Sequence, residues 1–432
     1  MTLNVKRVML CGLLVVAVAA QNVTDSATQF AQLRKRASDA RNNHDNQALL
    51  ATMIEMARLL HDSGPSQERL ALAYAAVGDK SNALEAVRKF VKMQQADEDL
   101  LAAPEFLPLK DNAEFQQLAQ QMRLNEAAIQ NSVPVATIAD PGLVAEDIAY
   151  DSKRKVFYVT SVLKKKIVRV RAHGSVEDFA AAPDGWPMLA IALDAGRGMV
   201  WATEAAMDQF SAAPAKDWGK SAVVCFRLSD GMLLKRLMGP AKSALGDMTL
   251  TSDGDVIVAD GAGGGVYRVR LNASSGDSLE RIDGGDFISP QTPAMDPDGK
   301  HLFVPDYSRG IGVLDLATKQ VRWIDSKHEH ALQGIDGMYY YNGALIAVQN
   351  GASPERVVLF RLDPGFTRIL SERTIERATP TIGDPTHGVL ISGSFYYIAN
   401  SGWSELDDQG KVKSGSKLTS ALIMKADVNK LH

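Results

Sequence analysis

Three carboxylates and one imidazole have the clearest capacity for joint chemistry in this sequence: Glu146, Asp247, Asp336 and His387. Carboxylates that meet at one point repel each other, and burying them is costly unless a proton or a cation neutralises them. A hard divalent cation such as Ca²⁺ satisfies several carboxylate and carbonyl oxygens at once. An imidazole beside them can take up a proton, orient a water molecule or pair with a carboxylate.

A repeated segment provides the fold that could gather these distant residues. Each copy is a short apolar run, a tight turn rich in Asp, Gly, Ser, Lys or Asn, and a β-rich run. The six copies begin near Glu146, Leu189, Asp247, Thr292, Asp336 and His387. A period of roughly 40 to 50 residues with several short strands per copy predicts a six-bladed β-propeller, in a mainly β chain. One copy cannot bury both of its faces, so neighbouring blades stack around a common axis.

In a propeller, the innermost strands of the blades begin near the axis at one mouth of the ring. The predicted metal ligands are therefore Glu146, Asp247 and Asp336. Asp247 aligns with Asp147 as well as with Glu146, and a slip of one residue on a strand reverses the direction of the side chain. For Asp247 and Asp336 the alternatives are that they bond neighbouring backbone N–H groups or line a water channel.

The region before the repeats has helical periodicity instead. Two apolar faces with spacings of three and four lie on either side of Gly78 and Asp79: Leu70, Ala73, Tyr74 and Val77, then Ala83, Leu84, Val87 and Val91. This pattern predicts two helices joined by a turn. Tyr74, Gly78 and Ala83 give the segment a resemblance to a tetratricopeptide unit. We expect a helical domain over 21–130 and a propeller over 131–432, with the helices either capping the propeller or binding a protein partner.

The ends of the chain add two expectations. Lys6 and Arg7 precede a short apolar run that ends in small residues near Ala19, which predicts a cleaved signal peptide over 1–20 and a periplasmic or secreted protein. A retained membrane anchor is the alternative. Near the start and the end of the propeller, VPVATI around Val133 and SALIMKADV around Ala421 are candidates to pair and close the ring.

Composition and charge exclude some functions. The formal net charge of −4 gives no electrostatic reason to expect nucleic acid as a partner. Removal of the signal peptide would leave Cys225 as the sole cysteine, which excludes an intrachain disulfide. After cleavage no membrane association is expected.

The strand starts resemble those of the calcium-dependent six-bladed propellers of the senescence marker protein/gluconolactonase group, with paraoxonases and strictosidine synthase-like proteins as more distant relatives. The residues that resemble this group are Glu146 in AEDIAYD, Asp247 in LGDMTLTSDGDVIVADG and Asp336 in GIDGMYYYNGALIAVQNG. The resemblance covers about residues 135–430 and implies one divalent metal at the axis that polarises a lactone carbonyl. This chain departs from the pattern at Leu189, at His387, and at Gln291 and Thr292, where an Asn ligand is expected.

We therefore expect an exported, metal-dependent hydrolase of lactones or related esters. Ca²⁺ is the expected ion, with Zn²⁺ or Mn²⁺ as alternatives, and a small lactone or ester is the expected substrate. Asp247, Asp336 or His387 would accept the proton of the attacking water. The alternative is a non-catalytic sensor or scaffold that binds a ligand or, through the helical region, a protein.

Overall fold

The computed structural model describes residues 24–208, 210–327 and 329–430. The predicted signal peptide over 1–20 lies outside these residues. Within the described ranges, none of the helices combines the length and the apolar character needed to span a bilayer.

Six helices form the first part of the described chain. They are α1 (Ser26–Asn42), α2 (Asn46–Leu59), α3 (Gly64–Ala76), α4 (Lys80–Lys92), α5 (Glu98–Ala102) and α6 (Ala113–Asn125), with a 3₁₀ turn at Pro104–Leu109. Five of them begin at an Asp or Asn whose side chain accepts a hydrogen bond from the backbone N–H three residues later: Asp25, Asp45, Asp79, Asp97 and Asn112. These caps satisfy N–H groups that the first helical turn leaves without partners.

The predicted helix pair is confirmed as α3 and α4, joined at Gly78. Gly78 has a φ of 81°, a left-handed conformation that glycine adopts without steric cost. Leu70 and Ala73 of α3 and Val87 of α4 are buried in one apolar cluster. Their burial follows from the spacing of three and four, which places these side chains on the facing sides of the two helices.

Strands β1 (Ile129–Gln130) and β2 (Ser132–Thr137) follow the helices. The first three blades are then continuous four-stranded antiparallel sheets. Blade 1 comprises β3 (Ala145–Asp151), β4 (Val156–Ser161), β5 (Lys166–Val170) and β6 (Val176–Ala181). Blade 2 comprises β7 (Met188–Asp194), β8 (Met199–Ala206), β9 (Lys220–Arg227) and β10 (Leu233–Met238). Blade 3 comprises β11 (Leu245–Leu250), β12 (Val256–Asp260), β13 (Gly265–Val269) and β14 (Glu280–Arg281).

The last three blades complete the predicted six-bladed propeller. Blade 4 comprises β15 (Ala294–Met295), β16 (His301–Asp306), β17 (Gly310–Asp315) and β18 (Val321–Trp323). Blade 5 comprises β19 (Met338–Tyr341), β20 (Ala344–Gln349), β21 (Arg356–Leu362) and β22 (Ile369–Arg377), with β1 added at its outer edge. Blade 6 comprises β23 (Gly388–Ile391), β24 (Ser394–Ile398) and β25 (Leu422–Asp427), with β2 as its outer strand.

The pairing of β2 with β25 closes the ring, as the sequence predicts. Ser132 lies opposite Ala426 and Thr137 lies opposite Leu422, so the outer strand of the last blade comes from the start of the propeller. Apolar residues also seal the contact between adjacent blades: Ile375 of blade 5 packs in one buried cluster with Phe395 and Met424 of blade 6. The pairing ties the start of the propeller to its last blade, and the outer edges that remain belong to the individual blades.

The helical region contacts one side of the propeller. Backbone hydrogen bonds join Ser26 to the carbonyl of Gly285 at 3.0 Å and Ala96 to the carbonyl of Ser353 at 2.7 Å. Ile288, from the loop that precedes blade 4, is part of the apolar core of the helices. These contacts fit the predicted capping role, and binding of a protein partner by the helices stays a prediction.

Replacing Met424 with Ala tests the ring closure. The side chain of Met424 is fully buried in β25, so we expect its truncation to lower the free energy of unfolding by about 2–5 kcal/mol in urea denaturation. Lys425→Ala is the matched control on the opposite face of the same strand. It removes a contact between the Lys425 ammonium and the Tyr396 ring, worth less than about 1 kcal/mol. Equal losses from the two variants would contradict the position of β25 in the ring.

Candidate functional site

Irregular pairing at the start of the inner strands positions the acidic side chains. In blade 1 Ala145 pairs with Ser161 and Ile148 pairs with Val159, so two residues, Glu146 and Asp147, lie opposite the single residue Thr160. Blades 2 and 3 have a register shift at the equivalent point. A bulge of this kind bends the strand and redirects side chains. It explains how consecutive acidic side chains, which a regular strand would separate onto opposite faces, both lie near the axis.

The alignment of the last two copies is wrong by one residue. Asp336 donates its backbone N–H to the carbonyl of Val348, and Thr386 donates in the same way to Ile398. Asp336 therefore corresponds to Thr386, and His387 corresponds to Gly337. The imidazole still reaches the axis, one position further along its strand than the alignment assumed.

Glu146, Asp336 and His387 converge at the axis. One potential ligand atom from each of the three lies within 4.8 Å of the other two. These residues come from blades 1, 5 and 6, so the propeller brings together groups that are far apart in sequence. Asp247 lies beside this cluster and contacts it through His387.

Two neutral donors each form a hydrogen bond with one oxygen of the carboxylate pair. The indole N–H of Trp403 donates to Glu146 Oε2 at 2.5 Å, and the amide of Asn350 donates to Asp336 Oδ2 at 2.8 Å. Tyr307 donates to the amide oxygen of Asn350 at 3.0 Å, which turns the NH₂ group of that amide toward Asp336. The second oxygen of each carboxylate accepts no hydrogen bond from the described residues.

His387 has a hydrogen-bond partner for both ring nitrogens. Its Nδ1 lies 3.0 Å from the carbonyl oxygen of Glu146, which can only accept, so Nδ1 carries a proton. Its Nε2 lies 2.7 Å from Asp247 Oδ1, and the hydroxyl of Thr292 donates to the same oxygen at 2.6 Å. In this arrangement the ring is an ion-pair partner of Asp247 and offers no lone pair to a metal.

Burial and mutual repulsion dominate the electrostatics of the site. Burial raises the pKa of Glu146, and the nearby Asp336 raises it further. Burial likewise raises the pKa of Asp336, against the opposing effect of the His387 cation. Burial by itself favours the neutral form of His387, but the carboxylates of Asp147, Asp336 and Asp247 outweigh it and raise the pKa of His387 well above its usual value.

Two nearby acids serve the backbone. Asp147 accepts from the N–H of Ile191 at 2.8 Å, which ties blade 1 to blade 2, and burial raises its pKa to about 6. Asp260 accepts from the N–H groups of Ala244 and Gly263, both at 2.8 Å. These hydrogen bonds give Asp147 and Asp260 partners within the protein, so neither carboxylate needs a bound ligand.

The acidic cluster borders an open cavity of about 750 Å³. Glu146, Asp247 and Asp336 form part of its lining, and the rest includes apolar and aromatic side chains: Leu189, Met207, Trp218 and Trp403. Lys242 also lines it. A concave site of this size with a few convergent polar groups is suited to a small molecule.

The Glu146–Asp336 pair fits a divalent cation. Calcium binds carboxylate oxygens at about 2.3–2.6 Å, so oxygens within about 5 Å of each other can share one ion. No Lys or Arg is among the larger influences on the pKa of either carboxylate, so the nearby positive charge comes from His387. Asp247 Oδ1 already pairs with His387 and Thr292, which leaves only Oδ2 to contact a metal. The metal-ligand role of Asp247 stays a prediction.

Sequence reasoning did not predict the hydrogen bonds that Thr292 and Asn350 make. Thr292 was expected near the axis as the start of the fourth copy, and its hydroxyl donates to Asp247. Asn350 follows β20 and donates to Asp336. Both contacts join residues that are distant in sequence or separated by a strand, so no spacing marks them.

No protein-family model and no curated protein sequence matches this chain. Its structure is similar to a gluconolactonase from Xanthomonas campestris, at 15% identity and a TM-score of 0.45, over 69% of this chain and 99% of that chain. It is also similar to regucalcin, a calcium-binding protein from Agrobacterium tumefaciens, at 13% identity and a TM-score of 0.46, over 69% and 95%. A glucose dehydrogenase-type oxidoreductase from Thermus thermophilus matches at 17% identity and a TM-score of 0.45, over 69% and 99%.

The strand topology of the chain itself confirms the six-bladed propeller that the predicted resemblance implies. The names of the similar structures include a lactonase, a calcium-binding protein and an oxidoreductase, and a fold by itself does not determine a function. The function of this chain therefore has to be argued from its own site residues.

The protonation of His387 is the first test of this geometry. In metal-free protein at pH 7, we expect ¹⁵N NMR to show protons on both ring nitrogens, because one faces a carbonyl and the other a carboxylate. Asp247→Asn is the matched variant: removing the carboxylate charge should lower the pKa of His387. A neutral ring at pH 7 in the parent protein would contradict the ion pair.

Proposed function

We propose that this protein is a metal-dependent hydrolase of lactones or related ester bonds, with one Ca²⁺ ion held between Glu146 and Asp336. The observation that supports it most strongly is the partly buried carboxylate pair. The two side chains contribute ligand atoms within 4.8 Å at the wall of an open cavity, and each has an oxygen without a hydrogen bond from the described residues. Two like charges in this position need a proton or a cation.

The chemistry of the donors favours a hard ion. Glu146 and Asp336 supply oxygen, the ligand that calcium prefers, whereas zinc is commonly bound by imidazole or thiolate. Both ring nitrogens of His387 are engaged with Glu146 and Asp247. A Zn²⁺ or Mn²⁺ ion would have to break one of these bonds to recruit the imidazole, so we propose Ca²⁺ over these alternatives.

When bound, the cation would polarise a substrate carbonyl and lower the pKa of a bound water molecule. Trp403 and Asn350 orient the carboxylates of Glu146 and Asp336 by donating hydrogen bonds to Oε2 and Oδ2. The apolar side chains of Leu189, Met207 and Trp218 provide a surface for the hydrocarbon part of a lactone or an ester.

We assign the proton-accepting role to Asp247 among the three predicted candidates. Asp336 is used as a ligand, and His387 has no free lone pair in this arrangement. Asp247 lines the cavity, and the described residues give its Oδ2 no hydrogen bond. Thr292 and the His387 ring hold Oδ1, which fixes the carboxylate with Oδ2 available to accept a proton from water.

Glu146→Gln and Asp336→Asn test the proposed metal site and reaction together. Each variant removes one ligand charge without changing the size of the side chain. We expect Ca²⁺ affinity, measured by calorimetric titration, and hydrolysis of a lactone panel to fall by at least about tenfold, as for loss of a charged contact worth about 1.4 kcal/mol or more. Asp298→Asn is the matched control, because Asp298 is an exposed acid in a hairpin turn.

Unchanged calcium affinity in both site variants would reject the proposed metal centre. Calcium binding without turnover of any lactone or ester would reject the hydrolase and favour the non-catalytic ligand-binding alternative. An equal loss in Asp298→Asn would show that the effect is not specific to the axial pair.

We also propose that the protein is exported, on the basis of the N-terminal sequence. Expression of the full chain in a bacterial host should give mature protein in the periplasmic fraction that begins at Gln21 or at Ala20, as read by N-terminal sequencing. Recovery of a cytoplasmic protein that retains Lys6 and Arg7 would contradict export.

A further inference from the structure

A second cavity of about 280 Å³ lies between the helical region and the propeller. Its lining includes His61 and Ser63 from the segment that joins α2 to α3, Arg309 and Trp323 from blade 4, and Gln333 from the loop that precedes blade 5. It shares no lining residue with the axial cavity.

This cavity collects side-chain donors that lack a partner. Among the described residues, ten buried polar side-chain atoms form no hydrogen bond, and three of them belong to side chains that line this cavity: Ser63 Oγ, Arg309 Nε and Gln333 Nε2. Ser63 is 5% exposed and Gln333 is 2% exposed. The Arg309 and Gln333 atoms can only donate, and the Ser63 hydroxyl can donate. Each such group left unpaired costs about 1–3 kcal/mol, which a ligand with acceptor oxygens would recover.

The positive charge of Arg309 also lacks a direct counter-ion. Its guanidinium donates to Ser26 Oγ at 2.9 Å, to His61 Nε2 at 3.0 Å and to the carbonyl of Asp286, all of which are neutral acceptors. No carboxylate of the described residues lies within 4.0 Å of it in an ion pair. Asp306 and Asp286 act on this charge only from a distance. A partly buried cation without an ion-pair partner creates a favourable position for an anion.

The surroundings limit the charge and the shape of that anion. His61 uses Nε2 to accept from Arg309, so this nitrogen carries no proton. The ring is therefore neutral in this arrangement and adds no second positive charge. Asp62 and Asp325 also line the cavity and disfavour a doubly charged ligand.

The remaining walls are apolar and aromatic. The Arg309 guanidinium lies 4.4 Å from the centre of the Trp323 ring, and the centre of the His61 ring lies 4.8 Å from it with the two ring planes at 74°. Met93, Ile311 and Leu332 complete the apolar part of the lining. These side chains offer contact area to a hydrocarbon group next to the charged one.

We propose that this cavity is a binding site for a small apolar monocarboxylate, whose carboxylate pairs with Arg309 and accepts hydrogen bonds from Ser63 and Gln333. The proposal does not depend on the hydrolase at the axis. Because Arg309 also bonds Ser26 and His61, an occupied site would strengthen the contact between the helical region and blade 4.

Calorimetric titration of the full-length protein with sodium benzoate tests the site. We expect one-to-one binding, with benzamide, the neutral analogue of the same shape, at least about tenfold weaker because it lacks the charge that pairs with Arg309. Inorganic phosphate should bind more weakly than benzoate. Absence of benzoate binding, equal binding of benzamide, or tighter binding of phosphate would each overturn the proposal.

Two variants and two controls locate the binding. Ser63→Ala and Gln333→Met should each weaken benzoate binding by about threefold to tenfold without lowering the melting temperature, because the atoms they remove make no hydrogen bond. Tyr158→Phe is the matched control, since the Tyr158 hydroxyl is equally buried and unpaired but belongs to blade 1. Glu146→Gln should also keep the parent affinity, which separates this site from the axial metal.

Unchanged affinity in both Ser63→Ala and Gln333→Met would overturn the assignment to this cavity. Loss of benzoate binding in Glu146→Gln would also overturn it, because the carboxylate would then be bound at the axis. Neither result for the benzoate site decides whether the protein hydrolyses lactones.

Discussion

Repulsion between two partly buried carboxylates is the constraint around which the axial site is organised. Blades 1 and 5 bring Glu146 and Asp336 to within 4.8 Å, and the strand pairing of a closed ring prevents them from moving apart to relieve the repulsion. Trp403 and Asn350 each hold one oxygen of the pair, which orients both carboxylates within the protein itself. A preformed pair of this kind would bind a cation without first ordering its ligands.

The negative charge of Asp247, the other acidic group at the axis, is compensated by a side chain of the protein. Asp247 pairs with the imidazole of His387 and accepts from Thr292, so its charge is balanced within the protein. The carbonyl of Glu146 fixes the second nitrogen of the same ring, which links the two halves of the site. One carboxylate is thus stabilised internally, while the Glu146–Asp336 pair depends on an external ion or a proton. This division separates the proposed metal ligands from the proposed proton acceptor.

The sequence predicts the propeller well because strand, turn and strand recur in one order, and the ring closure follows from apolar segments at both ends of the repeats. It also identifies Glu146, Asp336 and His387, since they stand where inner strands begin. It does not predict the bulge opposite Thr160 or the one-residue offset of His387, because these depend on the pairing of neighbouring strands. The cavity at Arg309 is equally hidden, since it forms where two separately patterned regions meet.

Crystallography with anomalous scattering gives the most direct test of the central claim. Crystals grown with Ca²⁺ should show one anomalous peak at the axis, with an oxygen of Glu146 and an oxygen of Asp336 each at about 2.3–2.6 Å from it. A map without a peak between these side chains, in which the two carboxylates instead share a proton through a direct hydrogen bond, would contradict the account.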